Sequence, residues 1–128
     1  MSISWTMDPG LHLLRVKMEG QVNWREISEY LATIQKLFPE APDAILDVSA
    51  LGPTDIKREH VMELARGPKI YRRVAIVTSQ PSQFGMARMY QLAAEVQPRR
   101  KISRVVSSEA EALEWLRGER TAVAQKAG

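Results

Sequence analysis

The side chains best placed to do chemistry in this 128-residue chain gather at two junctions. Ser49, Thr54 and Asp55 follow the apolar run from Ala44 to Val48, and Thr78, Ser79 and Ser82 follow a second run from Val74 to Val77. A strand that passes through a polar turn into a helix leaves free backbone N–H groups at the helix N-terminus, where phosphate or carboxylate binds. If the two strands are neighbours, the hydroxyls converge on one sheet edge beside two helix starts. Anion binding or phosphorylation is the chemistry such an edge offers. The simpler account is that serine and threonine cap helices and form turns there. Phe84 and Arg88, about one helical turn apart, extend the second junction with an apolar ring and a cation able to reach an acidic group. Gly85 costs about 1 kcal/mol relative to alanine within a helix, which suggests a close approach by backbone or ligand.

Little in the sequence supports catalysis. There is no cysteine, hence no thiol nucleophile, thiolate metal site or disulfide. The two histidines, His12 and His60, are far apart and lack metal-ligand spacing, and His60 reads as a solvated residue beside Glu59 and Glu63. No glycine-rich phosphate loop or nucleophile elbow is present. Asp47 and Asp55 could form a carboxylate pair, but local backbone bonding by Asp47 and attraction of Asp55 to the positive end of helix two explain them more simply. No catalytic residue, metal or cofactor is assigned, and the reading leans away from an enzyme.

The elements that position these residues follow from periodicity. Ile3 to Met7 and Leu11 to Met18 alternate apolar and polar around Asp8-Pro9-Gly10, which predicts an antiparallel hairpin. Asn23 with Glu26 forms a capping-box pattern, and Val22 with Ile27 a hydrophobic staple, so a helix starts there. Ile27, Tyr30, Leu31, Ile34, Leu37 and Phe38 give it one apolar stripe, and Pro39 and Pro42 end it. A second helix is predicted to open near Gly52-Pro53-Thr54 and stop at Gly67-Pro68. Val74 to Val77 is the central strand. A third helix covers about Gln83 to Val96, with Met86, Met89, Tyr90, Ala93 and Val96 toward the core. Ile102 to Val106 is the last strand, and Ser108 with Glu111 caps a final helix carrying Ala112, Leu113, Trp115 and Leu116. The fold class is α/β: a single mixed, largely parallel five-stranded sheet with an N-terminal hairpin and about four helices, in the order ββαβαβαβα. Residues 1–118 form one domain, and 119–128 read as a polar, flexible tail.

Three segments carry a family resemblance: Arg72-Arg-Val-Ala-Ile-Val77, Phe84-Gly-Met-Ala-Arg-Met-Tyr-Gln91 and Glu111-Ala-Leu-Glu-Trp-Leu116. Their order and spacing, with the hairpin and first helix, resemble the SpoIIAA-like, or STAS/Sec14-like, group of small bacterial proteins over about residues 1–118. The resemblance implies a single sheet-and-helix domain, often a homodimer, and no enzyme activity. In phosphorylatable members a strand ending Asp-Leu-Ser leads to Asp-Ser-Ser-Gly. Here Asp47-Val48-Ser49 matches the strand end and Asp55 the turn aspartate, but Ile56 and Lys57 stand at the two serine positions. Neither accepts phosphate at oxygen, so no phosphoswitch is expected.

Charge is uneven. Arg66 to Arg104 holds nine basic residues against the single acid Glu95, whereas the rest of the chain holds nine against 14. The basic clusters, Arg72-Arg73 and Arg99-Arg100-Lys101, lack interleaved aromatics, so nucleic acid is not the expected partner. No apolar run approaches the roughly 20 residues of a membrane span. No secretory signal is seen after Met1, and a cytoplasmic setting is expected. Two functions fit these features. One is a non-enzymatic, STAS-like interaction domain, expected as a homodimer with a possible protein partner, acting through the 49–55 turn and the following helix. The other is a binder of a small apolar or anionic molecule, a lipid included, in a pocket at the sheet edge between helices two and three.

Overall fold

Period-two alternation pairs Ile3–Asp8 (β1) with Leu13–Gly20 (β2) as an antiparallel hairpin. The computed structural model describes residues 2–98 and 101–127, with side chains as far as Gly118. Asp8 Oδ1 accepts the Leu11 N–H at 3.2 Å in the hairpin turn, and His12 takes a left-handed φ of 49°. Helix α1 (Trp24–Leu37) starts as its sequence dictates, with Asn23 Oδ1 accepting the Glu26 N–H at 2.8 Å and Val22 packed with Ile27. Strand β3 (Asp43–Leu51) outruns the apolar segment that signals it. After a register shift between Lys17 and Glu19, β2 goes on pairing through Gly20 with Leu51. Gly20 has a φ of 65°, in the left-handed region open to glycine, and its carbonyl accepts the Gly52 N–H at 2.8 Å.

Three expectations need correction. Helix α2 (Arg58–Arg66) opens at Lys57 rather than near Gly52, because residues 52–57 are drawn across to the start of α1. Helix α3 (Pro81–Glu95) starts slightly earlier than predicted and buries Gln83, Ala87, Gln91 and Ala94. The predicted core stripe of Met86, Met89, Tyr90, Ala93 and Val96 therefore lies beside the buried face, and Val96 is 79% exposed. Helix α4 (Glu109–Ala127) continues through most of the segment read as a tail, which is rich in the helix formers alanine, glutamate, lysine and glutamine.

Strands β4 (Arg73–Val77) and β5 (Ile102–Val106) complete a sheet whose spatial order equals its chain order, with β2 to β5 all parallel. Every crossover therefore steps in the same direction. Right-handed crossovers stepping one way must all lie on one face. Accordingly α1 and α3 pack Tyr30, Ile34 and Ala87 on Leu14, Val16, Ala44, Val74 and Ile76. Helix α2 joins the same face through Leu64, close to Met18, Leu46 and Val48. The opposite face, made of Leu13, Ile45, Ala75, Val77 and Val106, is left to α4, which covers it with Ala112 and Leu116.

An ion pair ties α4 down. Arg73, 3% exposed, donates through Nη2 to Asp43 Oδ2 at 2.6 Å and through Nε to Oδ1 at 3.1 Å, and its Nη1 reaches the Leu116 carbonyl at 3.3 Å. Both charges are buried, so each needs the other. Asp43→Asn or Arg73→Met should lower the unfolding free energy by about 3–5 kcal/mol, read from urea midpoints, and the Asp43→Leu/Arg73→Met double variant should recover most of that loss.

Candidate functional site

The two predicted junctions do lie side by side, and Ser49, Leu51, Ser79 and Gln83 are bonded across them. Ser79 Oγ donates to the Ser49 carbonyl at 2.8 Å. Gln83 acts as a clamp: its Oε1 accepts the N–H groups of Ser79 and Gln80 at 2.9 and 3.0 Å, and its Nε2 donates to the carbonyls of Ser49 and Leu51. These N–H groups lie just ahead of Pro81, and a glutamine of the same helix holds them. Thr78 is buried, with its N–H on the Val106 carbonyl. Asp47 Oδ1 accepts from both the N–H and the hydroxyl of Ser49. Thr54 Oγ1 accepts the Ile56 N–H at 2.8 Å.

Asp55 works at a different helix from the one expected. Its Oδ1 accepts the Trp24 N–H at 3.0 Å, placing a carboxylate at the N-terminus of α1 rather than α2. His60 is likewise not simply solvated. Its Nδ1 accepts the Lys57 N–H at 2.9 Å, and its ring stacks on Trp24 with centroids 4.5 Å apart and planes 11° from parallel. Phe84 is 51% exposed, and Arg88 is turned along its own helix to Gln91 Oε1 at 2.9 Å. A Cβ added at Gly85 would touch nothing within 4 Å, so no close neighbour explains that glycine.

The feature these residues frame is a groove of about 920 Å³ on the three-helix face. Its lining comes mainly from α1 on one side and from α2 and α3 on the other, a position one helix over from the pocket expected between helices two and three. Leu46, Val48, Val74 and Ile76 form its floor. At the C-terminal edge of the sheet it ends among Trp24, Leu51 and Ile56, where the Asp55 and His60 contacts join α1 to α2. Of the predicted site residues, only Thr54 and Ser82 line it.

The opposite end is polar, and sequence reasoning missed it. Tyr30 and Tyr71 share a hydroxyl–hydroxyl bond of 2.8 Å, and Tyr90 also lines the groove. Burial pushes the Tyr30 and Tyr90 hydroxyls up to about 12 and the Tyr71 hydroxyl well above the usual phenol range, so all three are neutral donors near neutral pH. Lys101 also lines the groove. It is only 6% exposed and donates to the Leu64 carbonyl at 2.8 Å, although its sequence neighbours suggested a solvated basic cluster. Burial lowers its pKa. Among the described residues no group of His, Asp or Glu is arranged to hold a metal ion, and no helix is long and apolar enough to cross a membrane.

A solved structure matches this architecture: an uncharacterised protein of the DUF3478 family from Shewanella loihica PV-4, whose crystal structure is described as having a SpoIIAA-like fold. It is 18% identical, with a TM-score of 0.62, over 90% of this chain and 93% of that one. The fold is SpoIIAA-like. The sequence resemblance implied a sheet-and-helix domain of this kind, and the periodicity its N-terminal hairpin and four helices. A second structure, described as Mglu, has a TM-score of 0.37, with 19% of that chain covered, and bears no weight. No protein-family model and no curated protein matches the chain.

The neutral tyrosines have a consequence for stability. Their hydroxyls ionise near 10 in the unfolded chain and, for Tyr30 and Tyr90, near 12 in the folded one. Above pH 10 the unfolded state holds fewer protons, so stability is full below that point and falls as pH rises toward 12. The expected slope is about 1.4 kcal/mol per pH unit for each tyrosine. Urea titrations from pH 8 to 12 should show this fall, and Tyr90→Phe should make it shallower.

Proposed function

We propose that this protein is a non-enzymatic binder of a small, mainly apolar molecule, held in the groove between α1 and the α2–α3 pair. The observation that carries the reading is the groove itself. Its volume of about 920 Å³ falls within the roughly 300–1,000 Å³ of small-ligand sites, and it combines an apolar floor with a few polar groups gathered at one end. The turn at 49–55 offers much less, because its side chains are committed to internal bonds. An uncharged, polarity-sensitive dye such as Nile red should bind with a blue-shifted emission. Met86→Trp, which puts a bulky ring into the lining, should weaken that binding at least tenfold. Equal dye binding by both proteins would place the dye elsewhere and count against the groove.

A second reading, a STAS-like interaction domain working as a homodimer, is supported by Leu92 on α3 and Val96 at its C-cap, which stand 52% and 79% exposed. Sedimentation at tens of micromolar should then show a dimer that Val96→Glu dissociates. A monomeric wild-type protein would remove this reading.

A further inference from the structure

Lys101 is the feature of the groove that a purely apolar occupant leaves unexplained. An ammonium group has three donors and is strongly hydrated in water. Here the residue is 6% exposed, and the one hydrogen-bond partner of its ammonium among the described residues is the neutral carbonyl of Leu64, at 2.8 Å. No carboxylate lies within ion-pair distance of it among those residues, in contrast to Arg73, whose buried charge is matched by Asp43. The acid in the groove's lining, Glu63, is exposed on α2. Buried charges are normally paired, because desolvation without a counter-charge is costly. The carbonyl contact explains one donor of Lys101 as a cap on the C-terminal end of α2. Two donors remain for whatever enters the groove.

The sheet register puts Lys101 at the same edge as one of the tyrosines, Tyr71. Arg73 of β4 pairs with Ile102 of β5, so Tyr71 and Lys101 sit just ahead of neighbouring strands at the same edge of the sheet. The groove therefore has an apolar body over Leu46, Val48 and Ile76 and, at its N-terminal edge, a cation accompanied by neutral hydroxyl donors. That is the pattern of an amphiphile site with the charge at one end.

We infer that the ligand is an anionic amphiphile with an extended apolar chain, a fatty carboxylate in its simplest form, whose head group pairs with Lys101 while its chain lies over the sheet toward Trp24. The inference rests on the proposed binding function and adds the charge and direction of the ligand. A carboxylate there would accept the two unused ammonium donors and hydrogen bonds from the tyrosine hydroxyls, supplying the missing counter-charge.

The test is displacement of the uncharged dye by a matched pair, palmitate and hexadecanol, from the wild-type protein and two variants. Lys101→Gln removes the charge but keeps an N–H donor for the Leu64 carbonyl, whereas Lys101→Met removes both. Wild type should bind palmitate at least tenfold more tightly than hexadecanol. Both variants should lose that preference while hexadecanol binding changes less than threefold. A lysine that merely caps α2 would instead lower thermal stability in Lys101→Met and leave the preference in place, which overturns the inference. Equal wild-type affinities for the two compounds also overturn it but leave the groove as a binding site. Failure of both compounds to displace bound dye overturns it as well, and failure of the dye to bind at all removes the binding function with it.

Discussion

The constraint on which the rest of this molecule depends is the agreement between chain order and spatial order in its sheet. Each parallel strand is added on the same side of the last, and the right-handed crossover rule then allows one placement for the connecting helices. Three helices share one face and a single helix serves the other. The three-helix face is the one able to hold a groove, because α1 stands over the hairpin side of the sheet while α2 and α3 pack together beyond it. The single-helix face must instead be closed by close packing and by the Arg73–Asp43 pair.

The same constraint explains why the strand-to-helix turns do not open a crevice at a reversal of strand order. In open α/β sheets such crevices form where strand order reverses and neighbouring turns lead to opposite faces. Here the order never reverses. The turns after β3 and β4 lead to the same face, lie against each other, and are bonded together through Gln83. Ser79 is drawn onto the Ser49 carbonyl by the same arrangement. The space a ligand could use has moved from the edge of the sheet to its covered face.

Much of the fold was legible in the sequence because local signals and tertiary roles coincide. The Asn23–Glu26 cap, the Asp8-Pro9-Gly10 turn and the uniformly apolar β4 are examples. The failures occur where one residue serves a distant partner. Pro53 resembles the first residue of a helix, yet its segment is pulled away so that Asp55 can reach Trp24, 31 residues earlier. Helix α3 buries two glutamines and two alanines, so its apolar periodicity is offset from the face it buries. The groove was harder still. Tyr71 lies in a connecting loop and Lys101 at the end of a basic run, and nothing local distinguishes either from a surface residue. Their roles come from the register of β4 against β5, which a single sequence does not express.

The placement of α4 also bears on how the protein is made. It follows all five strands in the chain, yet it alone covers Leu13, Ile45, Ala75, Val77 and Val106. While a ribosome still holds the residues after β5, the sheet and its three-helix face can assemble, but the opposite face stays bare and Arg73 lacks the Leu116 carbonyl. Domains emerging N-terminus first expose apolar surface until their last element arrives. For this domain the interval ends with one helix, so the nascent protein presents a single, well-defined sticky face until α4 emerges.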